Sequence, residues 1–282
     1  MNSDIADFLA SFPYAASTRR TYEDILSRLL AESQDSASLT APELLKFINK
    51  SEWGNSRQCL ALAAIQKYLR WRYGSLHPAL SAKLKRIVGK PQRALTPEVA
   101  LKLLASFNPY DPKGARDLAI CSLALDTGLR ESEICRLQQA DTDIEHRVLQ
   151  VIVKGGQWAA AIFGDQTAAH IERWKSFRKV ADGQGFLFTH VKTGKGITPE
   201  GLYTIVREWG WRIGIKLSPH DLRRSMAVIG TLNGASERSL MEMGRWKESS
   251  MIKRYTRTLR LEQVRKYLPV DGLLGKTPPE NP

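Results

Sequence analysis

The 282-residue sequence has few cysteines and no long hydrophobic run. Its three cysteines (Cys59, Cys121 and Cys135) form no Cys-x-x-Cys pair, which argues against a disulfide framework and a structural zinc site. The longest near-apolar stretch, Leu118 to Leu125, is far too short to span a bilayer, and the first residues lack the basic and apolar segments of a signal peptide. These absences predict a soluble protein of a reducing compartment.

Acidic side chains are also scarce relative to basic ones. The chain has 42 Lys and Arg against 29 Asp and Glu, a formal net charge of +13 and a pI near 9.7. Residues 1–93 carry 14 basic and 8 acidic side chains, and residues 94–282 carry 28 and 21. A positive excess in both parts is typical of a protein that binds a polyanion. Composition alone leaves nucleic acid, an anionic membrane surface and simple solubility open.

Several enzyme motifs are missing as well. The sequence has no His-Glu-x-x-His, no Gly-rich phosphate-binding loop ending in Lys-Ser/Thr, and no carboxylate cluster of the kind that binds Mg²⁺. The sequence therefore offers no recognised motif for a metal ion or a nucleotide cofactor.

The length predicts about two domains. Residues 1–87 read as a helical module, with helices starting near Ser17, Thr40 and Ser56 and a short fourth helix from Leu80 to Ile87. Residues 88–95 contain Gly and Pro without apolar periodicity, and we assign them to a linker. A second domain is expected over 96–270, followed by a loose, proline-containing tail over 271–282.

The second domain is expected to be mostly helical with a small antiparallel sheet. Helices are predicted from Thr96 and over Lys113 to Leu125. Arg147 to Val153 and Trp158 to Phe163 have the composition of a β-hairpin, and Gly185 to Phe188 is the candidate third strand. The chain is thus predicted to be mainly α, of the α+β class, with a three-stranded antiparallel sheet.

Two short motifs carry residues suited to an anionic ligand. His220 and Arg223 are three positions apart at the start of a predicted helix, so they project from one face. Arg130 follows Gly128 in a Thr-Gly-Leu-Arg turn, and Glu133 lies one helical turn further on. Taken alone, the first motif is more typical of a capping histidine beside a surface arginine, and the second of an exposed Arg–Glu pair at a helix start.

A third segment is strongly cationic. From Arg245 to Lys266 there are eight basic and two acidic residues, and the segment includes Trp246 and, nine positions later, Tyr255. A tyrosine at helical spacing from Met251 and Ile252 is more often a packing residue than a functional one.

Taken together, the order and spacing of these residues resemble the tyrosine recombinases of the phage integrase family. That family has an Arg in a TGLR-type turn, a Lys in a β-hairpin, a His-x-x-Arg motif, a His or Trp, and a Tyr nine residues later. The matching residues are Arg130, Lys154, His220, Arg223, Trp246 and Tyr255, with Glu133 at the family's acidic position. The match of Lys154 is the weakest, because the turn lacks the further basic residues that often follow this lysine.

The resemblance implies a site-specific recombinase that cleaves and rejoins DNA through a 3′-phosphotyrosyl intermediate, without metal or ATP. Tyr255 would be the nucleophile, and Arg130 and Arg223 would bind the non-bridging phosphate oxygens. His220 would transfer the tyrosyl proton, and Lys154 would protonate the leaving 5′-oxygen.

The remaining positions have supporting roles in this family. Trp246 would donate a hydrogen bond to the phosphate or pack beneath it, since an indole cannot titrate. Glu133 would orient the arginine and the histidine. The family's N-terminal module is a four-helix, SAM-like core-binding domain that contacts DNA.

The resemblance also implies the partners and the location. The expected partners are double-stranded DNA, three further copies of the chain in a synaptic tetramer, and accessory DNA-bending proteins. The expected location is the cytoplasm, at the nucleoid, and no membrane is involved. Integration, excision, resolution and inversion all remain open. Two alternatives are a non-catalytic DNA-binding protein on the same fold and a type IB topoisomerase.

Overall fold

The structure of the protein is a computed structural model, which describes residues 3–33, 35–87, 93–153, 156–181, 183, 185–253 and 255–256. The chain divides into two compact units, Met1–Lys90 and Pro91–Pro282. Each unit has its own hydrophobic core.

The first unit is a helical module. Its elements are α1 (Ser3–Ala10), α2 (Ala16–Glu32), α3 (Ala41–Lys50), α4 (Asn55–Tyr73) and a 3₁₀ turn (Pro78–Ser81). The carboxylate of Glu43 accepts hydrogen bonds from the backbone N–H and the hydroxyl of Thr40 at 2.9 and 2.7 Å, which caps α3. Helix α4 ends where Gly74 takes φ +90°. Four α-helices thus surround one apolar core.

One of these helices differs from the sequence prediction. The expected helix over Leu80 to Ile87 is wrong, because only Pro78–Ser81 is helical and the described residues after it are irregular. The fourth helix is instead α1, which buries Ile5, Phe8 and Leu9 in the core. An eight-residue helix has too few turns for a clear periodic pattern, so tertiary packing decides it.

The second unit holds seven further helices in its described part and a small sheet. The helices are α5 (Pro97–Ala105), α6 (Pro112–Thr127), α7 (Glu131–Arg136), α8 (Asp165–Phe177), α9 (Pro199–Arg212), α10 (Pro219–Leu232) and α11 (Glu237–Gly244). The strands are β1 (Thr142–Asp143), β2 (Val148–Ile152) and β3 (Trp158–Ile162), antiparallel in the order β1-β2-β3. This agrees with the predicted fold class.

Helix α6 lies at the centre of this unit. Almost every one of its residues from Gly114 to Ala124 is buried, and it packs against α8 and α10. It begins where the carboxylate of Asp111 accepts hydrogen bonds from the N–H groups of Lys113 and Gly114, and it ends at Gly128. Because α6 is fixed in the core, the turn that follows it has a defined position.

The hairpin is confirmed, but the third strand is not where the sequence placed it. Residues Val148–Ile152 pair with Trp158–Ile162 in the expected register for a short turn. Gly185 to Phe188 forms only an isolated bridge between Phe186 and Gln138, and the third strand is β1. The predicted linker over 88–92, the tail over 271–282 and the helical segment from 257 to about 268 lie outside the described residues.

Within the described ranges, none of the helices has the length and hydropathy needed to cross a bilayer.

Candidate active site

The turn between α6 and α7 places Arg130 over a buried carboxylate. Gly128 has φ +58° and allows the chain to reverse, so that Arg130 becomes the N-cap of α7. The carboxylate of Glu133 accepts hydrogen bonds from the Arg130 backbone N–H at 2.9 Å and from its Nη1 at 2.7 Å. Glu133 is buried, whereas the Arg130 side chain is 38% exposed. Its guanidinium is therefore oriented and still accessible from solvent.

Helix α10 brings His220 and Arg223 to the same place. Ser218 caps this helix, with its N–H and hydroxyl donating to Asp221 Oδ2 at 2.9 and 2.7 Å. Together with Arg130, both residues line one cleft of about 240 Å³. The Thr-Gly-Leu-Arg turn with Arg130 and the His-x-x-Arg motif that begins at His220, 90 residues later, thus meet in one site.

Arg223 is the most enclosed charged side chain of the cleft. It is 2% exposed, and its Nη1 and Nη2 donate to the carbonyl oxygens of Gly128 and Gly244, the latter at 2.6 Å. Burial, followed by the positive charges of Arg130 and Arg245, lowers its pKa to about 10, so the guanidinium remains charged at neutral pH. Arg223 joins the turn before α7 to the last residue of α11.

His220 lies at the exposed rim of the cleft. Partial desolvation lowers the pKa of His220, and the charges of Arg224, Arg223 and Arg130 lower it further, against a smaller opposing effect of Asp221. The imidazole is therefore neutral at pH 7 and can accept a proton.

Trp246 packs against the guanidinium of Arg223, and Tyr255 packs against Trp246. The guanidinium carbon of Arg223 lies 4.8 Å from the centroid of the Trp246 ring, and the Tyr255 ring is 5.9 Å from the same indole. Tyr255 is 6% exposed, and its hydroxyl is buried without a hydrogen-bond partner among the described residues. The tyrosine is close to the cleft but is not among the residues that line it.

Lys154 lies outside the described residues. The neighbouring ends of its hairpin, Ile152 and Trp158, line a second cleft of about 280 Å³ together with Glu133. The hairpin therefore lies beside the carboxylate that holds Arg130.

Glu133 also lies near a second arginine. Arg245 Nη2 is 3.9 Å from Glu133 Oε2. Glu133 is therefore shared between two arginines.

Arg245 is a structural member of the site that the sequence analysis missed. Its backbone is left-handed (φ +50°), which turns the side chain inward, where Nη1 donates to Met243 O at 2.9 Å and Nη2 to Thr127 O at 3.0 Å. Burial lowers the pKa of Arg245, as expected for a cation held mainly by carbonyl groups. Its place directly before Trp246 was the only hint in the sequence.

The site is rich in cations and poor in metal ligands. Among the described residues, no three His, Cys, Asp or Glu side chains are grouped to hold a metal ion. The cysteines are free, and burial raises the pKa of Cys135 to about 12. Two guanidinium groups and an imidazole around one cleft suit an oxyanion, because arginine can donate two parallel hydrogen bonds to phosphate oxygens.

Comparison with known proteins agrees with this geometry. The chain is 26% identical over 266 residues to the tyrosine recombinase XerA of Thermococcus onnurineus (strain NA1), covering 92% of each chain. It is 27% identical over 292 residues to the tyrosine recombinase XerD of Listeria innocua, covering 94% of this chain and 98% of the relative.

A solved structure shares the fold. The Tn1549 transposon integrase in complex with transposon right-end DNA aligns with a TM-score of 0.73 at 16% identity, covering 94% of this chain and 99% of that one. The model of the phage integrase family matches residues 93–261, which is more than half of the chain. The chain therefore belongs to the phage integrase family.

Proposed function

We propose that the protein is a site-specific DNA recombinase that cleaves and rejoins DNA strands through a 3′-phosphotyrosyl intermediate. The observation that carries the proposal is the cleft in which Arg130, His220 and Arg223 converge, with Tyr255 packed one ring away. Such a site can hold one phosphate and supply a nucleophile. Membership of the family, whose relatives include recombinases, supports the same reaction.

The two arginines have the charge that the transition state requires. A pentacovalent phosphorane carries more negative charge on its non-bridging oxygens than the diester does, and Arg130 and Arg223 would stabilise that charge. Glu133 and Arg245 hold Arg130 and its turn in place. The guanidinium of Arg130 is therefore already oriented before a phosphate binds.

In the proposed cleavage step, the protein and the DNA supply every bond and every proton that is exchanged. The oxygen of Tyr255 bonds to phosphorus, the phosphorus–5′-oxygen bond breaks, and a free 5′-hydroxyl leaves. His220, neutral at pH 7, would accept the phenolic proton, and Lys154 would protonate the 5′-oxygen. The phosphotyrosyl bond keeps the free energy of the diester, so rejoining requires neither ATP nor a metal.

Tyr255 must move before it can attack. Its hydroxyl is buried and does not reach into the cleft, and the donors Nη1 and Nη2 of Arg223 are occupied by carbonyl groups. We infer that DNA binding rearranges the segment around Tyr255 so that the hydroxyl faces the phosphate.

The partners follow from the reaction. Duplex DNA would be bound by both units, since each carries an excess of basic residues. Exchange between two sites needs four cleavages, so four copies of the chain would assemble, with or without accessory DNA-bending proteins. We place this activity in the cytoplasm, at the nucleoid.

The test is covalent capture on a nicked DNA substrate whose cleaved fragment diffuses away. The wild type is expected to form a protein–DNA adduct that resists denaturation, and Tyr255→Phe is expected to form none while binding DNA normally. Tyr203→Phe is the matched control, because Tyr203 is an exposed tyrosine on α9. An adduct in the Tyr255→Phe variant would show that another residue is the nucleophile.

A non-catalytic DNA-binding protein is the second candidate. The buried hydroxyl of Tyr255 is the observation that favours it. Wild-type protein that binds its DNA site but never forms an adduct supports this candidate, whereas relaxation of supercoiled plasmid without a specific site points to a topoisomerase.

A further inference from the structure

Helix α10 carries a second arginine, Arg224, which has no role in the reaction proposed for the site. Its guanidinium carbon lies 5.9 Å from the centroid of the Tyr255 ring, and its side chain is 14% exposed. The Nε of Arg224 and the hydroxyl of Tyr255 are both buried without a hydrogen-bond partner among the described residues. Arg224 and Trp246 thus pack against the tyrosine ring.

A buried carboxylate holds Arg224 in this position. Arg224 Nη1 donates to Asp221 Oδ1 at 3.0 Å, while the other oxygen, Oδ2, accepts from Arg93 Nη2 at 3.0 Å. Asp221 is 3% exposed, and Oδ2 also accepts the capping hydrogen bonds of Ser218. One carboxylate therefore binds two arginines and caps the helix.

The end of the predicted linker is attached to the same helix. The N–H of Leu95 donates to Ser225 Oγ at 2.7 Å, and the Ser225 hydroxyl donates to the carbonyl oxygen of Asp221 at 2.7 Å. Arg224 Nη1 also lies 3.5 Å from the carbonyl oxygen of Arg93. Arg93 therefore contacts both Asp221 and Arg224.

We propose that Arg224 is a positioning residue for the nucleophile and that Asp221 and Arg93 hold it against the ring of Tyr255. The inference rests on the proposed function, because it takes Tyr255 as the nucleophile. A guanidinium is attracted to the face of an aromatic ring, and its planar shape limits the orientations that the ring can adopt. Its positive charge also stabilises the negative charge that develops on the phenolic oxygen as the proton leaves.

The test compares Arg224→Met with Arg224→Lys on the nicked DNA substrate at saturating DNA. Arg224→Met is expected to slow adduct formation by about 30-fold, because a small misplacement of a reacting group has a large effect on rate. Its DNA affinity should stay within about threefold of wild type, since Arg224 is mostly buried. Arg224→Lys keeps a cation near Asp221 and the ring, and should recover the rate to within about fivefold of wild type.

Two further variants test the link to Arg93. Arg93→Gln should slow adduct formation by about fivefold, and adding Arg224→Met should slow it no further than Arg224→Met alone, because both act through one contact. Arg238→Met is the control for loss of one arginine, since Arg238 on α11 is 90% exposed. It should react at the wild-type rate.

The outcomes separate this inference from the proposed function. An adduct that depends on Tyr255 but forms at the wild-type rate in Arg224→Met overturns the positioning role alone. The positioning role is also overturned if Arg224→Lys is as slow as Arg224→Met and the thermal midpoint falls equally in both variants, because that result indicates a structural role. If Arg224→Met does not fold, an unchanged rate in Arg93→Gln overturns the inference. No adduct in the wild type overturns the proposed function and this inference together.

Discussion

At the scale of single residues, the site is organised by two buried carboxylates, each of which lies between two arginines. Glu133 binds Arg130 and lies near Arg245, and Asp221 binds Arg224 and Arg93. Each carboxylate reduces the repulsion between its two neighbouring guanidinium groups. A buried charge without such a partner is strongly unfavourable.

The protonation state of His220 gives a prediction at this scale. Partial desolvation and the charges of Arg224, Arg223 and Arg130 lower the pKa of His220, with Asp221 opposing them. We expect the imidazole to titrate below about 6.5, the ordinary value. Adduct formation should be independent of pH above about 7 and should fall as the pH drops through the lowered pKa.

The same shift affects stability. Because the folded protein binds this proton less readily than the unfolded chain, the stability associated with His220 is fully present above about 6.5 and decreases as the pH falls through the lower folded value. The measurement is an NMR titration of the imidazole, assigned with His220→Gln. A midpoint at or above about 6.5 would contradict the proposed environment.

At the scale of elements, the turn between α6 and α7 decides whether the arginines meet. A Cβ atom at Gly128 would lie 2.5 Å from Met226 Cε, on α10, and the residue has φ +58°. A side chain at residue 128 would therefore force the end of Met226 to shift, and the left-handed backbone also favours glycine there. The close approach of the turn to α10 also allows Arg223 to reach the carbonyl oxygen of Gly128.

Replacing this glycine gives a second prediction. Gly128→Ala should lower the free energy of unfolding by about 3 kcal/mol, from left-handed strain and from the clash with Met226. It should also slow adduct formation, because Arg130 is displaced. Denaturant unfolding and the nicked DNA substrate measure the two effects.

A control variant at a second glycine separates the effect of backbone strain from the effect of the contact with Met226. Gly234 also has positive φ (+87°), but a Cβ atom there would meet nothing within 4 Å. Gly234→Ala should therefore lower the free energy of unfolding by only about 1 kcal/mol and leave the rate unchanged. Equal losses in the two variants would mean that the contact with Met226 is unimportant.

Elements also show where sequence patterns succeed. The predicted helix starts near Thr40 and at the His220 motif match α3 and α10, because the cap at each start depends on residues within one helical turn. The strands of the sheet were harder to predict from the sequence. Gly185 to Phe188 is apolar enough for a strand, but Leu187 and Phe188 are buried in the core, and the two-residue β1 pairs with β2 instead.

At the scale of the whole molecule, the net charge of +13 separates into two roles. Most of the basic side chains are spread over both units, where they are suited to non-specific contact with a phosphate backbone. Arg130 and Arg223 line one cleft, Arg245 lies beside Glu133 next to them, and all three are bound to backbone or carboxylate groups.

This division gives a prediction about DNA binding. The affinity for duplex DNA should fall by about 10³-fold between 50 and 200 mM salt if six or more phosphates are contacted. Fluorescence anisotropy at several salt concentrations measures the slope. Arg130→Ala should change that slope by no more than about one contact while abolishing most adduct formation. An affinity independent of salt would contradict a polyanionic partner.

The sequence by itself determined the order and the identity of the candidate site residues. Arg130, the His220–Arg223 pair, Trp246 and Tyr255 were selected because their order and spacing resemble the phage integrase family, and both can be read directly from the sequence. Lys154 and the roles assigned to these residues stay predictions.

Only the tertiary structure decided how these residues are held. The bonds from Arg245 to Thr127, from Arg223 to Gly128 and from Arg93 to Asp221 join positions 118, 95 and 128 residues apart. Local periodicity contains no information about such pairs, because they form only when helices from distant parts of the chain pack around α6. The burial of the Tyr255 hydroxyl has the same origin: it depends on which side chains, Arg224 and Trp246, come to lie against the ring.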